Sequence, residues 1–214
     1  MNPKERRRPL SRPPVVALIG PFGAGKSLVR QALERHGAAT LDFDSYSREL
    51  LRPGTPQFQQ VRAHFGDAYL FPDGTLHRAA LGRLVFADDD ARHALNAIVH
   101  PAMLARLREA VAAFRRAPTA PALAVEGALL GQLAPEDLFD VVLSVQAPAA
   151  VRALRLQERD GLTAAEAQGR LALHERLGLG AEPADFVLDN SGDLEQAEAQ
   201  VAEFWRRFVA PPEA

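Results

Sequence analysis

Lys26 and Ser27 close the run Gly20-Pro21-Phe22-Gly23-Ala24-Gly25-Lys26-Ser27, a full match to the spacing G-x-x-x-x-G-K-[ST]. Glycines at 23 and 25 can take backbone angles closed to other residues, so successive N–H groups can converge on one phosphate. The lysine brings a point charge to the β- and γ-phosphates, and the serine hydroxyl can serve Mg²⁺. A helix start just after the loop adds the positive end of its dipole. Gly20, Gly23, Ala24, Gly25, Lys26, Ser27 and Leu28 are therefore the candidate contacts of a nucleoside triphosphate. No guanine-reading Asn-Lys-x-Asp motif is present, which favours ATP.

Carboxylates suited to phosphoryl transfer come next. Leu41-Asp42-Phe43-Asp44-Ser45 sets two of them two residues apart at the end of a short apolar run. Residues so spaced on a strand share one face, so Asp42 and Asp44 are both expected to point toward the nucleotide pocket. A kinase needs one carboxylate to orient an attacking hydroxyl and accept its proton. The competing role for Asp44 or Ser45 is a helix N-cap. Glu126 ends the apolar run Leu123-Ala124-Val125, a place from which such proteins reach Mg²⁺ or its waters. Ser27 and Glu126 are thus the candidate metal-side pair. Arg152, Arg155 and Arg159 recur at helical spacing and share a face. A guanidinium fork suits phosphate; a solvated basic face with ion pairs is the alternative. Pro101 is expected to open a helix over 102–114, leaving His100 as a helix-boundary or core histidine. No His/Asp/Glu set has zinc spacing.

These residues need elements to hold them. Val15–Ile19 reads as a buried strand, and Leu28 to Gly37 as a helix closed by its glycine. Further short apolar runs lie at 39–42, 123–126, 141–145 and 186–189, with helical stretches between them. Such alternation predicts an α/β fold: a P-loop core with a five-stranded parallel sheet flanked by helices. Ligands in such sheets bind at the carboxyl ends of strands, where the loop, Asp42, Asp44 and Glu126 all fall. Residues 45–117 read as a mostly helical insertion for substrate, with turns at Pro53-Gly54 and Phe71-Pro72-Asp73-Gly74. A charged helical pair over 155–185 reads as a mobile lid.

Composition narrows the class. The chain has 214 residues, enough for one enzyme domain with insertions at 14–214. A net charge of −2 gives no overall field for nucleic acid. Cysteine is absent, which removes disulfides and thiol chemistry and agrees with a cytoplasmic setting. No apolar run approaches the roughly 18 residues of a membrane span. Residues 1–13 carry Lys4, Arg6, Arg7, Arg8 and Arg12 without an apolar stretch. They read as a flexible solvated tail, a nucleic-acid arm being the alternative. No obligate protein partner is indicated.

Taken together, the motifs resemble the dephospho-CoA kinase family. The resemblance is carried by residues 17–27, Leu-Asp-Phe-Asp (41–44), Arg-Pro-Gly-Thr-Pro (52–56), Leu-Asn-Ala-Ile-Val-His-Pro (95–101), Arg-Asp-Gly-Leu-Thr (159–163) and Ala-Asp-Phe-Val-Leu-Asp-Asn-Ser-Gly (184–192). Phe-Gly-Asp (65–67) and Asp-Gly-Thr-Leu (73–76) add to it, and about residues 14–208 are covered. It implies ATP-dependent phosphorylation of the 3′-hydroxyl of dephospho-CoA on a nucleoside-monophosphate-kinase-like core. It implies that Lys26 and Ser27 serve ATP and Mg²⁺, and that Asp44 activates the acceptor hydroxyl. His100 and Asp42 fall on the substrate side, and Arg155 and Arg159 become lid arginines. The chain departs from the usual pattern at Ile19 and Pro21, at Ala128-Leu129-Leu130-Gly131-Gln132 in place of Pro-Leu-Leu-Phe-Glu, at His174 in place of a glutamine, and in 179–183, which lacks a basic residue. A kinase for another nucleotide-like acceptor, or a nucleotide-dependent switch with no acceptor, would share this core.

Overall fold

The computed structural model describes residues 12–178, 180 and 183–210. Strands β1 (Val15–Ile19), β2 (Ala39–Asp42), β3 (Leu123–Glu126), β4 (Val141–Gln146) and β5 (Phe186–Asp189) form one sheet in the order β2-β3-β1-β4-β5. Each of the four pairings is parallel. β1 lies in the middle, and all five of its residues are buried, as a run of Val-Val-Ala-Leu-Ile demands. The expected strands are present, with β4 one residue longer than the sequence suggested.

Helix α1 (Lys26–Arg35) follows the glycine loop, and α9 (Leu194–Phe208) packs beside it. Val29, Ala32 and Leu33 of α1 and Val201 and Phe204 of α9 join Val16, Leu18, Leu143, Val145 and Leu188 in one buried cluster. Burying each large apolar side chain contributes about 1.5–3 kcal/mol, so this cluster anchors the loop from beneath. α7 (Ala149–Asp160) and α8 (Ala164–Arg176) pack on each other as a hairpin. Gly161 turns the chain in a left-handed conformation, and Thr163 opens α8 with a capping box to Glu166. A short helix, α6 (Leu130–Leu133), precedes β4.

The described residues up to Asp42 and from Val111 onward make one compact unit, and Phe43–Ala110 make another. The second holds α2 (Phe43–Leu50), α3 (Pro56–Phe65), α4 (Arg78–Ala87) and most of α5 (Asp89–Arg116). It buries Phe58, Val61, Leu81, Val99, Met103 and Leu107.

Two local expectations are corrected. Pro101 does not open a helix; α5 runs through it, starting at Asp89. Proline removes one N–H and crowds the preceding turn, but the residues on either side keep the helix going. Asp44 does not share a strand face with Asp42, because the strand stops at Asp42 and α2 begins at Phe43. Phe43 is fully buried, and its burial fixes where the strand gives way to helix. The expected basic tail lies outside the described residues except for its end, where Arg12 Nη2 meets Asp140 Oδ1 at 2.8 Å.

Candidate active site

The glycine loop runs between the end of β1 and the start of α1. Gly20 has φ +143°, and a Cβ there would fall 2.2 Å from the Val145 carbonyl oxygen. Gly25 has φ +95°, and its Cβ would fall 2.1 Å from Asn190 Nδ2. Both positions need glycine for backbone angle and for space. The loop is braced from outside: Asn190 Nδ2 donates to the Ala24 carbonyl at 2.7 Å, and Arg155 Nη1 donates to the same oxygen at 3.3 Å. Arg155 Nη2 also donates to the Asn190 carbonyl at 2.8 Å. Asn190 is buried, so its amide is committed to this contact.

Lys26 is nearly buried, and its Nζ donates to the Gly20 carbonyl at 2.8 Å and to that of Pro21 at 3.3 Å. The ammonium is therefore held inside the curve of the loop. Pro21 supplies a carbonyl there, so its missing N–H costs this contact nothing.

Ser27 Oγ donates to Glu126 Oε1 at 3.0 Å, while Arg30 Nε donates to Glu126 Oε2 at 2.9 Å. Asp42 is the register partner of Glu126 across the β2–β3 pairing, so the two carboxylates stand side by side on one face. Arg30 continues to Glu34 Oε1 at 2.5 Å. Among the described residues no set of three or more His, Cys, Asp or Glu could hold a metal alone. Mg²⁺ does not need one: it takes one or two carboxylates and keeps waters and substrate phosphates. The oxygen-only set of Ser27, Glu126 and Asp42 fits it.

The three arginines of α7 have separate partners. Arg152 is buried; its Nε donates to the Ala147 carbonyl and its Nη2 to Glu175 Oε1 at 2.9 Å. Arg159 is exposed, pairs with Asp160 and lies 5.7 Å from the centroid of the Phe22 ring. Phe22, inside the glycine loop, also stacks on His174 at 5.7 Å and packs against the Leu156, Ala167 and Leu171 cluster. This face is not the uniform solvated stripe that charged helical spacing allows.

Asp44 stands in the first turn of α2, where the helix dipole favours a carboxylate. His100 lies inside α5, and burial holds its imidazole below the ordinary pKa. Both belong to the second unit. Sequence reasoning gave no role to Arg30 or Asn190. Arg30 sits one helical turn past Lys26, and Asn190 follows the end of β5; those positions are the signals that could have found them. Two departures from the usual motifs, Ile19 and Gly131, line a cavity of about 260 Å³ with Leu130, Phe139 and Val142. Gln132 of α6 donates its amide to the Leu177 carbonyl.

A parallel sheet in this strand order, with a phosphate loop after its central strand and a charged helical hairpin beyond, defines a P-loop kinase. A family model, Dephospho-CoA kinase, matches residues 14–196. A dephospho-CoA kinase of Geobacter metallireducens is 42% identical over 195 residues, covering 91% of this chain and 96% of its own length. The crystal structure of TT1252 from Thermus thermophilus superposes with TM-score 0.71 at 28% identity, covering 91% and 97% of the two chains. A dephospho-CoA kinase from Campylobacter jejuni shares the fold at TM-score 0.64 and 19% identity, over 89% and 94%. The chain belongs to the dephospho-CoA kinase family. It is an ATP-dependent kinase. Among the described residues no helix is long and apolar enough to cross a membrane.

Proposed function

We propose that this protein transfers the γ-phosphoryl group of ATP to the 3′-hydroxyl of dephospho-CoA, giving coenzyme A and ADP. The observation that carries it is the assembled phosphate side: Lys26 Nζ inside the loop and Ser27 hydrogen-bonded to Glu126, in a chain of this family. Phosphoryl transfer needs little covalent help from protein; positioning and charge neutralisation do most of the work. The loop N–H groups and Lys26 hold the β- and γ-phosphates. Ser27 and Glu126, with Asp42 beside Glu126, would hold Mg²⁺, which when bound offsets the charge of the phosphates. Asp44 accepts the hydroxyl proton as the acceptor oxygen attacks, and His100 contributes to the substrate side. Arg155 and Arg159, on α7 beside the phosphate loop, act on the transferring group while closure of α8 excludes water. ATP as donor favours a cytoplasmic reaction.

A coupled ADP-release assay tests the reading, with dephospho-CoA, adenosine and other nucleotides as acceptors. Turnover that depends on dephospho-CoA and yields coenzyme A is expected. ADP release at the same rate with no acceptor would point to a nucleotide-dependent switch. Preference for another acceptor would point to a kinase of changed specificity.

A further inference from the structure

Phe22 fills one of the variable positions between Gly20 and Gly25, where the phosphate motif accepts any residue. A cradle of backbone N–H groups and a lysine needs no aromatic ring there. The ring is half-buried, and its contacts lie with the α7–α8 hairpin. His174 of α8 stacks on it, with centroids 5.7 Å apart and 22° between the planes. His174 is one of the departures from the usual motifs, and a glutamine there would offer no ring to stack. Phe22 also packs against the cluster of Leu156, Ala167 and Leu171, which joins α7 to α8. The guanidinium carbon of Arg159 lies 5.7 Å from the ring centroid, within reach of a cation–π contact. One side chain of the phosphate loop thus meets both helices.

Arg159 is the side chain that most needs holding. It stands in the last turn of α7, and its side chain is 59% exposed. Its Nε donates to Asp160 Oδ1 at 2.7 Å and its Nη2 to Asp160 Oδ2 at 2.9 Å. Asp160 in turn lies 3.7 Å from Arg170 of α8. These contacts set the guanidinium against its own hairpin and not against the loop. A planar guanidinium can use an edge and a face at once. Asp160 takes the edge of Arg159, and Phe22 takes its face. An exposed arginine otherwise samples many rotamers, and those away from the phosphates are unproductive.

We propose that Phe22 is a positioning residue: its ring holds the Arg159 guanidinium at the phosphate loop, so that loop and arginine are set together before phosphoryl transfer. The inference rests on the reading of Arg159 as a group that acts on the transferring phosphoryl. The plainer role for Phe22 is to cover the Leu156, Ala167 and Leu171 cluster. A leucine would cover that cluster too, but it offers no π-face to a cation. A tyrosine keeps both.

Phe22→Leu, Phe22→Tyr, Arg159→Gln and the double variant of Phe22→Leu with Arg159→Gln are compared with the unaltered enzyme. Circular dichroism is the folding check, and calorimetric titration of a non-hydrolysable ATP analogue is the control on the glycine loop. NMR of the arginine Nε–H groups reads position directly. The Arg159 signal, identified by its loss in Arg159→Gln, should move in Phe22→Leu, where the ring current is gone, and stay near its place in Phe22→Tyr. In turnover with dephospho-CoA, kcat of Phe22→Leu should fall about two- to fivefold, the worth of one exposed cation–π contact. Analogue affinity should hold, and Phe22→Tyr should restore the rate. In the Arg159→Gln background the leucine should cost nothing more, because residues that act as a unit are not additive. An unchanged Nε–H signal or an unchanged kcat in folded Phe22→Leu would overturn the positioning role, and so would an equal fall in both backgrounds. If Arg159→Gln itself leaves kcat unchanged, the reading of Arg159 in transfer falls and takes the inference with it. If the unaltered enzyme does not phosphorylate dephospho-CoA, the acceptor assignment falls, and the Nε–H signal still decides whether Phe22 holds Arg159.

Discussion

Asp44 and Glu126 divide the chemistry at the residue scale. If Asp44 takes the acceptor proton, Asp44→Asn keeps its shape and removes its charge and basicity. General-base contributions run about 10²–10⁴-fold, so kcat with dephospho-CoA should fall by that order while ATP affinity holds. A structural first-turn role predicts near-silence in kcat, since losing a carboxylate's interaction with the helix dipole costs only about 0.3–1 kcal/mol of stability. Steady-state kinetics with dephospho-CoA separates the two. Arg30 makes a different prediction. It fixes Glu126 Oε2 at 2.9 Å and leaves Oε1 for Ser27. Arg30→Gln should free the carboxylate to rotate, and partners of that kind affect metal affinity by about 10–100-fold. Mn²⁺ binding to the ATP-analogue complex, followed by paramagnetic resonance, should weaken, while analogue binding without divalent ion should not. Equal Mn²⁺ affinity would reduce Arg30 to a tie between α1 and β3. The glycine loop was legible because its glycines and lysine are tied to a fixed spacing. Arg30 was not, because a lone arginine on a helix announces no partner until β3 is laid beside α1.

Elements explain where sequence reading succeeded and where it slipped. Short runs such as Val15–Ile19 were legible as strands because a strand covered on both faces must be apolar throughout. The end of β2 was misread because periodicity describes a strand but not the point where it stops. Only the burial of Phe43 shows that the helix begins there. Pro101 was likewise read as a start signal, although tertiary packing carried α5 across it. That continuity puts His100 in a helix interior, with a measurable consequence. Burial holds its folded pKa below the ordinary value of 6.5, so the unfolded chain binds a proton first as pH falls. Above both pKa values the imidazole is neutral in both states and contributes nothing. Stability should therefore drop as pH passes below 6.5. His100→Gln should flatten that part of the curve. Urea unfolding at several pH values from 7.5 to 5 reads it, and the same slope in both proteins would assign the loss to other groups.

For the whole molecule, the division into two units sets the order in which ligands should act. The phosphate loop, Glu126, Arg155 and Arg159 belong to one unit, while Asp44 and His100 belong to the other. The α7–α8 hairpin is not held evenly. α7 is tied to the loop through Arg155 and the Ala24 carbonyl, and Gly23 sits so close that a Cβ there would meet Arg152 Cβ at 3.2 Å. α8 is held by the small cluster of Leu156, Ala167 and Leu171, the Phe22–His174 stack and the Arg152–Glu175 pair. Small clusters with exposed ends open readily, so α8 is the part free to respond. Hydrogen exchange should then resolve three patterns. An ATP analogue alone should slow exchange at α1 and around Asn190. Dephospho-CoA alone should slow α2, which carries Asp44. Both together should slow α8 beyond either ligand, because closing the hairpin excludes water only when donor and acceptor are in place. The amides of α7 near Arg152 should already be protected and change least. If saturation with both ligands leaves α8 at its ligand-free rate, the hairpin is a fixed brace for the phosphate loop and not a lid.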